Sequence, residues 1–127
     1  MTKPELETRA DIDKLIVEFY KVVIYDPEIG HHFDGLDLAR HIPIICDFWE
    51  KILFGNPVYF NNPLTVHQKL HERFPLWPEH FLRWVEIFSQ TVDELYSGEM
   101  ADLAKFRART IADSLDQRLN GGIQITR

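Results

Sequence analysis

Six histidines in a chain of 127 residues carry most of the chemistry this sequence can do. His67 lies on a short Leu-rich stretch after Pro63, flanked by loops. A segment held at both ends can be set against a flat ligand from one side, and a neutral imidazole there can coordinate iron. Taken alone, His67 reads more simply as a surface histidine. His41 falls on an apolar stripe with Ile45 and Phe48, where it either faces a small molecule across a cavity or bonds a carbonyl. Tyr20, beside Phe19, offers a hydroxyl that needs a partner when buried. Trp84 offers an indole N–H, which only donates. Each also has an ordinary structural reading, as a boundary tyrosine or a core tryptophan.

Other chemistries find less support. His67 and His71 are spaced to share a helical face and could hold zinc, but no HExxH pattern accompanies them. No phosphate-binding glycine loop, nucleophile elbow or CxxC pair is present. Cys46 is the only cysteine and has no basic neighbour in sequence, so it reads as a packed thiol.

The elements that position these residues are helices. Ile12, Leu15, Ile16, Phe19, Val22 and Val23 recur at helical spacing, and Asp26-Pro27 ends that run. A polar corner through Gly30, His31 and His32 follows, with room for one helical turn. Leu38, Ile42, Ile45, Phe48, Trp49, Ile52 and Leu53 form a second stripe, with Pro43 placed in its first turn and Gly55-Asn56-Pro57 as its stop. The sequence predicts a loop over 58–63 and two turns of helix over Leu64–Leu70. Pro78 opens a long helix lined by Phe81, Trp84, Val85, Phe88, Val92 and Leu95, ended by Gly98. Met100, Leu103, Ala104, Ala108, Ile111, Ala112, Leu115 and Leu119 line the last helix, which Gly121-Gly122 should terminate. Both chain ends read as frayed. No run alternates with period two, so the fold class is all-α, with four substantial helices and one or two short ones.

The length suits a single domain spanning 1–127, with its core over about 11–119. A net charge of −6 without a Lys/Arg cluster argues against a nucleic-acid surface. No apolar run is long enough for a bilayer, and the polar start carries no signal core, so the expected location is cytoplasmic and away from membranes.

In combination these pieces resemble the truncated haemoglobins, specifically the third group. The motifs are Asp11-Ile12 leading to Phe19-Tyr20, His41-Ile42-Pro43 before Asp47-Phe48-Trp49, and Asn62-Pro63 before His67-Gln68-Lys69-Leu70-His71. Glu79-His80-Phe81 then precedes Trp84, Phe88 and Thr91-Val92-Asp93-Glu94-Leu95, and Lys105, Arg107-Ala108 and Ile111-Ala112 close the series. The likeness runs from about Asp11 to Leu115. It implies a truncated globin fold, a two-over-two helical sandwich around one haem b (iron protoporphyrin IX). His67 matches the proximal iron ligand. Tyr20, His41, Trp84 and Phe19 match the distal side. Ile45, Phe48, Trp49 and Phe88 would line the pocket, and Lys69, His71 and Arg73 are candidates for the haem propionates. The absence of paired glycines before Gly121 agrees with the third group; Ile44 and Cys46 depart from its usual side chains.

The resemblance implies a globin that binds oxygen, nitric oxide or carbon monoxide. The same scaffold could instead serve as a nitric oxide dioxygenase or a peroxidase-like enzyme acting on peroxide. The chain has no flavin or nicotinamide motif, so turnover would require a separate reductase. A cofactor-free interaction domain is a third possibility, disfavoured by Tyr20, His41 and Trp84 occurring together.

Overall fold

The computed structural model describes residues 3–126, with side chains described as far as Gly121. Helix α1 (Arg9–Val23) starts where Thr8 and Asp11 cap each other: the Thr8 hydroxyl accepts from the Asp11 N–H, and the Asp11 carboxylate accepts from the Thr8 N–H. Ile12, Leu15, Ile16, Phe19 and Val23 are buried, as their spacing predicts. Val22 is 53% exposed. It lies at the edge of the buried stripe, about 100° around the helix from Val23, where the side chain meets solvent.

Asp26 organises the corner after α1. One carboxylate oxygen accepts from the Glu28 and Ile29 N–H groups. The other takes two bonds from Arg83, at 3.0 and 2.7 Å. A 3-10 turn over Gly30–Phe33 follows. Here glycine is needed for space: a Cβ on Gly30 would lie 2.7 Å from the Ile24 carbonyl oxygen.

Helix α2 (Leu38–Phe54) is capped by Asp37 and closed by Gly55, whose φ of 74° only glycine adopts readily. Pro43 sits in the second turn, not the first, because the helix already begins at Leu38. Its missing N–H leaves one carbonyl of the first turn without its usual bond. Helix α3 (Pro63–Arg73) has three turns where the sequence suggests two. Asn62 accepts from the Leu64 and Thr65 N–H groups, and Pro63 occupies the first helical position.

Helix α4 (Pro78–Leu95) ends three residues before Gly98. Helix α5 (Glu99–Thr126) runs through Gly121 and Gly122, so they do not stop it. Gly121 is not among the glycines at positive φ, the conformation that would turn the chain out of the helix. The N-terminal segment is tied down rather than frayed. Leu6 is 1% exposed, and the Glu5 carboxylate accepts from the Met100 and Ala101 N–H groups at the start of α5. Met1, Thr2 and Arg127 lie outside the described residues, as do the side chains of 122–126.

Helices α1 and α2 form one layer and α4 and α5 the other; α1 crosses α4 and α2 crosses α5. The architecture is two-over-two, with no strand among the described residues. Ala101, Ala104 and Ala108 are fully buried on α5, and their small size lets the layers approach. Arg9 bonds both Asp47 and Glu50, fixing α1 against α2. Helix α3 stands apart, contacts chiefly α5 and has no fully buried residue. No helix among the described residues is long and apolar enough to cross a membrane.

Candidate functional site

Between the layers lies a cavity of about 480 Å³ with a predominantly apolar lining. Its wall is aromatic. Trp49 and Phe88 stack at 4.8 Å, Trp84 stacks on Phe88 at 5.3 Å, and Phe48 meets Trp49 edge-on at 5.6 Å. Phe19 joins this array to Tyr20 at 5.4 Å and to Trp84 at 5.9 Å. Stacked rings fix one another's rotamers, so the wall is rigid.

His67 lines the cavity from α3. The cap at Asn62 and Pro63 places the Pro63 carbonyl one turn before it, 2.7 Å from His67 Nδ1. A carbonyl only accepts, so Nδ1 carries the proton and Nε2 keeps its lone pair. Burial lowers the His67 pKa below the ordinary histidine value, while the bond to Pro63 acts in the opposite direction. A neutral imidazole with its second nitrogen held by a backbone carbonyl is the state in which histidine ligates metals.

Tyr20, His41 and Trp84 are among the other polar side chains that line the same cavity. The Tyr20 and His41 rings meet edge-on at 5.8 Å. Burial, and then the charge of His67, lower the His41 pKa. Tyr20 is 6% exposed. Burial raises its pKa, with Cys46 adding to the shift, so the hydroxyl stays a donor. Among the described residues no protein group bonds the Tyr20 hydroxyl or the Trp84 indole N–H. Cys46 itself is buried on the inner face of α2, and burial pushes its thiol up to about 12.

The structure thus brings together His67, Tyr20, His41, Trp84, Phe19, Ile45, Phe48, Trp49 and Phe88. Lys69, His71 and Arg73 are not in the lining. Lys69 is exposed, and the Arg73 guanidinium lies over the Phe74 ring at 5.1 Å. His71 Nδ1 accepts from the Leu76 N–H. Several lining residues escape the sequence reading. Val66 and Leu70 flank His67 on its own helix and were accessible from the 3.6-residue period. Tyr59 and Asn61 come from the α2–α3 loop, and His32 from the 3-10 turn, where no periodicity points inward.

These features fit a flat, largely apolar group with one ligated metal, such as haem. The wall is aromatic and aliphatic, one neutral imidazole has a lone pair to give, and the polar Tyr59 and Asn61 stand on a surface loop.

Comparison with known proteins leads the same way. Residues 5–114 match the family model of the bacterial-like globins. The chain is 28% identical over 124 residues to the group 3 truncated haemoglobin of Campylobacter jejuni, spanning 92% of this chain and 94% of that protein. The crystal structure of the group III truncated haemoglobin from Campylobacter jejuni superposes with a TM-score of 0.83 at 29% identity, covering 93% of this chain and 95% of that one. The 2/2 haemoglobin from Synechococcus sp. PCC 7002, in the cyanomet state with covalently attached haem, gives a TM-score of 0.74 at 27% identity over 91% of each chain. With a two-over-two sandwich, a histidine-bearing apolar cavity and a family match across most of its length, the chain belongs to the bacterial-like globins and, among them, to the truncated haemoglobins of the third group.

Proposed function

We propose that this haem-binding globin holds the iron through His67 and takes oxygen or another diatomic gas on the side of Tyr20, His41 and Trp84. The observation that carries the reading is the His67 imidazole, kept neutral by burial, with Nδ1 committed to the Pro63 carbonyl at 2.7 Å. That bond orients the ring and leaves Nε2 as the donor atom. When bound, haem supplies an iron centre whose remaining position accepts a small ligand.

The chain's own residues decide what happens to that ligand. Tyr20 keeps its proton and has no protein acceptor among the described residues, so its hydroxyl is available to donate. The Trp84 indole N–H is available in the same way. His41 is held toward its neutral form by burial and packs on Tyr20, limiting how that ring can move. The aromatic wall keeps water away from these donors, which strengthens each bond they make. Two donors in an apolar cavity imply slow ligand release, suited to sensing, scavenging or chemistry on the ligand. A cofactor-free docking domain would have no use for a cavity of about 480 Å³ lined by unpaired donors.

The test is the visible spectrum of the protein supplied with haem, for wild type and His67→Ala. A sharp, saturable Soret band that is lost or strongly shifted in the variant is the expected result. A band unchanged in His67→Ala would move the iron ligand elsewhere, and no saturable band in wild type would overturn haem binding.

A further inference from the structure

Helix α3 carries His67 yet has no fully buried residue of its own. Its position therefore depends on how its ends are fastened. At the start, Asn62 and Pro63 do this. At the end, the chain turns through 74–77 into α4, and side chains from four different elements hold that turn. The Leu76 N–H donates to His71 Nδ1 of α3 at 2.9 Å, and the Trp77 N–H donates to His80 Nδ1 of α4 at 3.0 Å. The Leu76 carbonyl accepts from Asn120 of α5 at 2.7 Å. The Pro75 carbonyl lies 3.0 Å from His32 Nε2 of the 3-10 turn. Leu76 and His80 themselves line the cavity.

Two of these ties require a histidine to accept. A backbone N–H can only donate, so Nδ1 of His80 must be unprotonated, with the ring's single proton on Nε2. A second proton would set N–H against N–H and cancel the bond.

We infer that His80 is a positioning residue for the helix that bears His67, acting through the 74–77 turn, and that it does so only as a neutral Nδ1 acceptor. Acid then releases the end of α3. The inference rests on His67 being the iron ligand.

The surroundings of His80 favour the neutral ring. His32 stands 4.8 Å away and His31 6.1 Å away, both from the 3-10 turn. Burial first, and then these two histidines, lower its pKa; Glu79 on α4 and Glu28 before the turn act in the opposite direction. The nearby Asp26 and Arg83 satisfy one another, and Arg73 at the end of α3 lies over Phe74. His32 behaves differently. Both of its nitrogens face carbonyls, of Ile29 and Pro75, so a proton there breaks no bond. Of the two ties that a second ring proton would break, the one at Leu76 belongs to His71 and the one at Trp77 to His80.

The experiment follows amide exchange at Leu76 and Trp77, together with the Soret band, in haem-loaded protein from about pH 8 to about pH 5. Wild type, His80→Asn and His80→Phe are compared after correction for the intrinsic pH dependence of exchange. Asparagine presents an oxygen where His80 presents Nδ1, and it does not titrate. Wild type should lose Trp77 protection by roughly tenfold as histidine protonates, with a matching shift in the Soret band. His80→Asn should keep Trp77 protected across the range and remove the part of the Soret shift that follows Trp77, leaving only what passes through His71 at Leu76. His80→Phe should show the unprotected Trp77 at every pH. Unchanged protection in His80→Phe, or loss in His80→Asn at the same pH as wild type, overturns the role of His80. A turn that responds as expected under a pH-independent Soret band overturns its link to His67. If wild type shows no Soret band, haem binding has failed instead, and amide exchange still decides the turn.

Discussion

Tyr20 shows how one atom can separate function from stability. Its ring is buried among Phe19, Phe33 and His41, while its hydroxyl has no protein partner among the described residues. Tyr20→Phe therefore keeps the packing and strands no buried acceptor. Its thermal midpoint should stay close to that of wild type. Dissociation of oxygen from the haem-loaded variant, followed by stopped flow, should accelerate by about tenfold to a hundredfold. A stable variant with unchanged dissociation would remove Tyr20 from the ligand's neighbours. Phe88 is the opposite case. It is fully buried between Trp49 and Trp84, and Phe88→Ala should cost about 3–5 kcal/mol of unfolding free energy in urea titrations.

At the scale of elements, the joints matter more than the helices. Asp26 gathers the end of α1, the 3-10 turn and α4 into one knot through Glu28, Ile29 and Arg83. Hydrogen bonding from Arg83, the largest influence, holds its carboxyl below the usual carboxylate value. A carboxylate with a depressed folded-state pKa stabilises the protein above its unfolded pKa, and that contribution is lost as pH falls through the folded value. Asp26→Asn should thus cost about 1–3 kcal/mol at neutral pH, and the gap to wild type should close below about pH 4. Urea unfolding at the two pH values checks it; a gap independent of pH would refute the ionic contribution. Gly30→Ala tests the same joint by sterics. Its Cβ meets a backbone carbonyl, which cannot swing aside as a side-chain end can. A loss of about 1–3 kcal/mol is expected, read as a fall in thermal midpoint.

For the whole molecule, the cavity separates two halves of one core, and whatever fills it adds to stability by mass action. At haem concentrations about a thousandfold above the dissociation constant the gain approaches about 4 kcal/mol. Calorimetry should show a higher, haem-dependent midpoint for wild type and a much smaller increment for His67→Ala. An equal increment in both would mean that burial in the cavity, rather than ligation by His67, supplies most of the binding energy.

Much of this was legible in the sequence. Helical periodicity placed α1, α2, α4 and α5, because an amphipathic stripe has one way to bury itself. Pro63, Gly55 and Pro78 marked element boundaries through backbone restrictions that act locally. The order of the five motifs along the chain, those holding Tyr20, His41, His67 and Trp84 among them, carried the resemblance to truncated haemoglobins. Other features depended on segments distant in sequence meeting in space. The N-terminal residues read as frayed because nothing local shows Glu5 capping a helix some 95 positions away. Gly121-Gly122 read as a stop because glycine disfavours helices locally, and α5 nevertheless continues through them. His71 reads as a candidate for the haem propionates, yet the fold sets it against the Leu76 N–H. His67 shows both sides. Its identity and its neighbour Pro63 are local facts, fixed by four residues of chain. That its imidazole is neutral, and faces an aromatic cavity with Tyr20, His41 and Trp84, was decided only by tertiary structure, because burial and dielectric belong to the packed molecule and not to the chain.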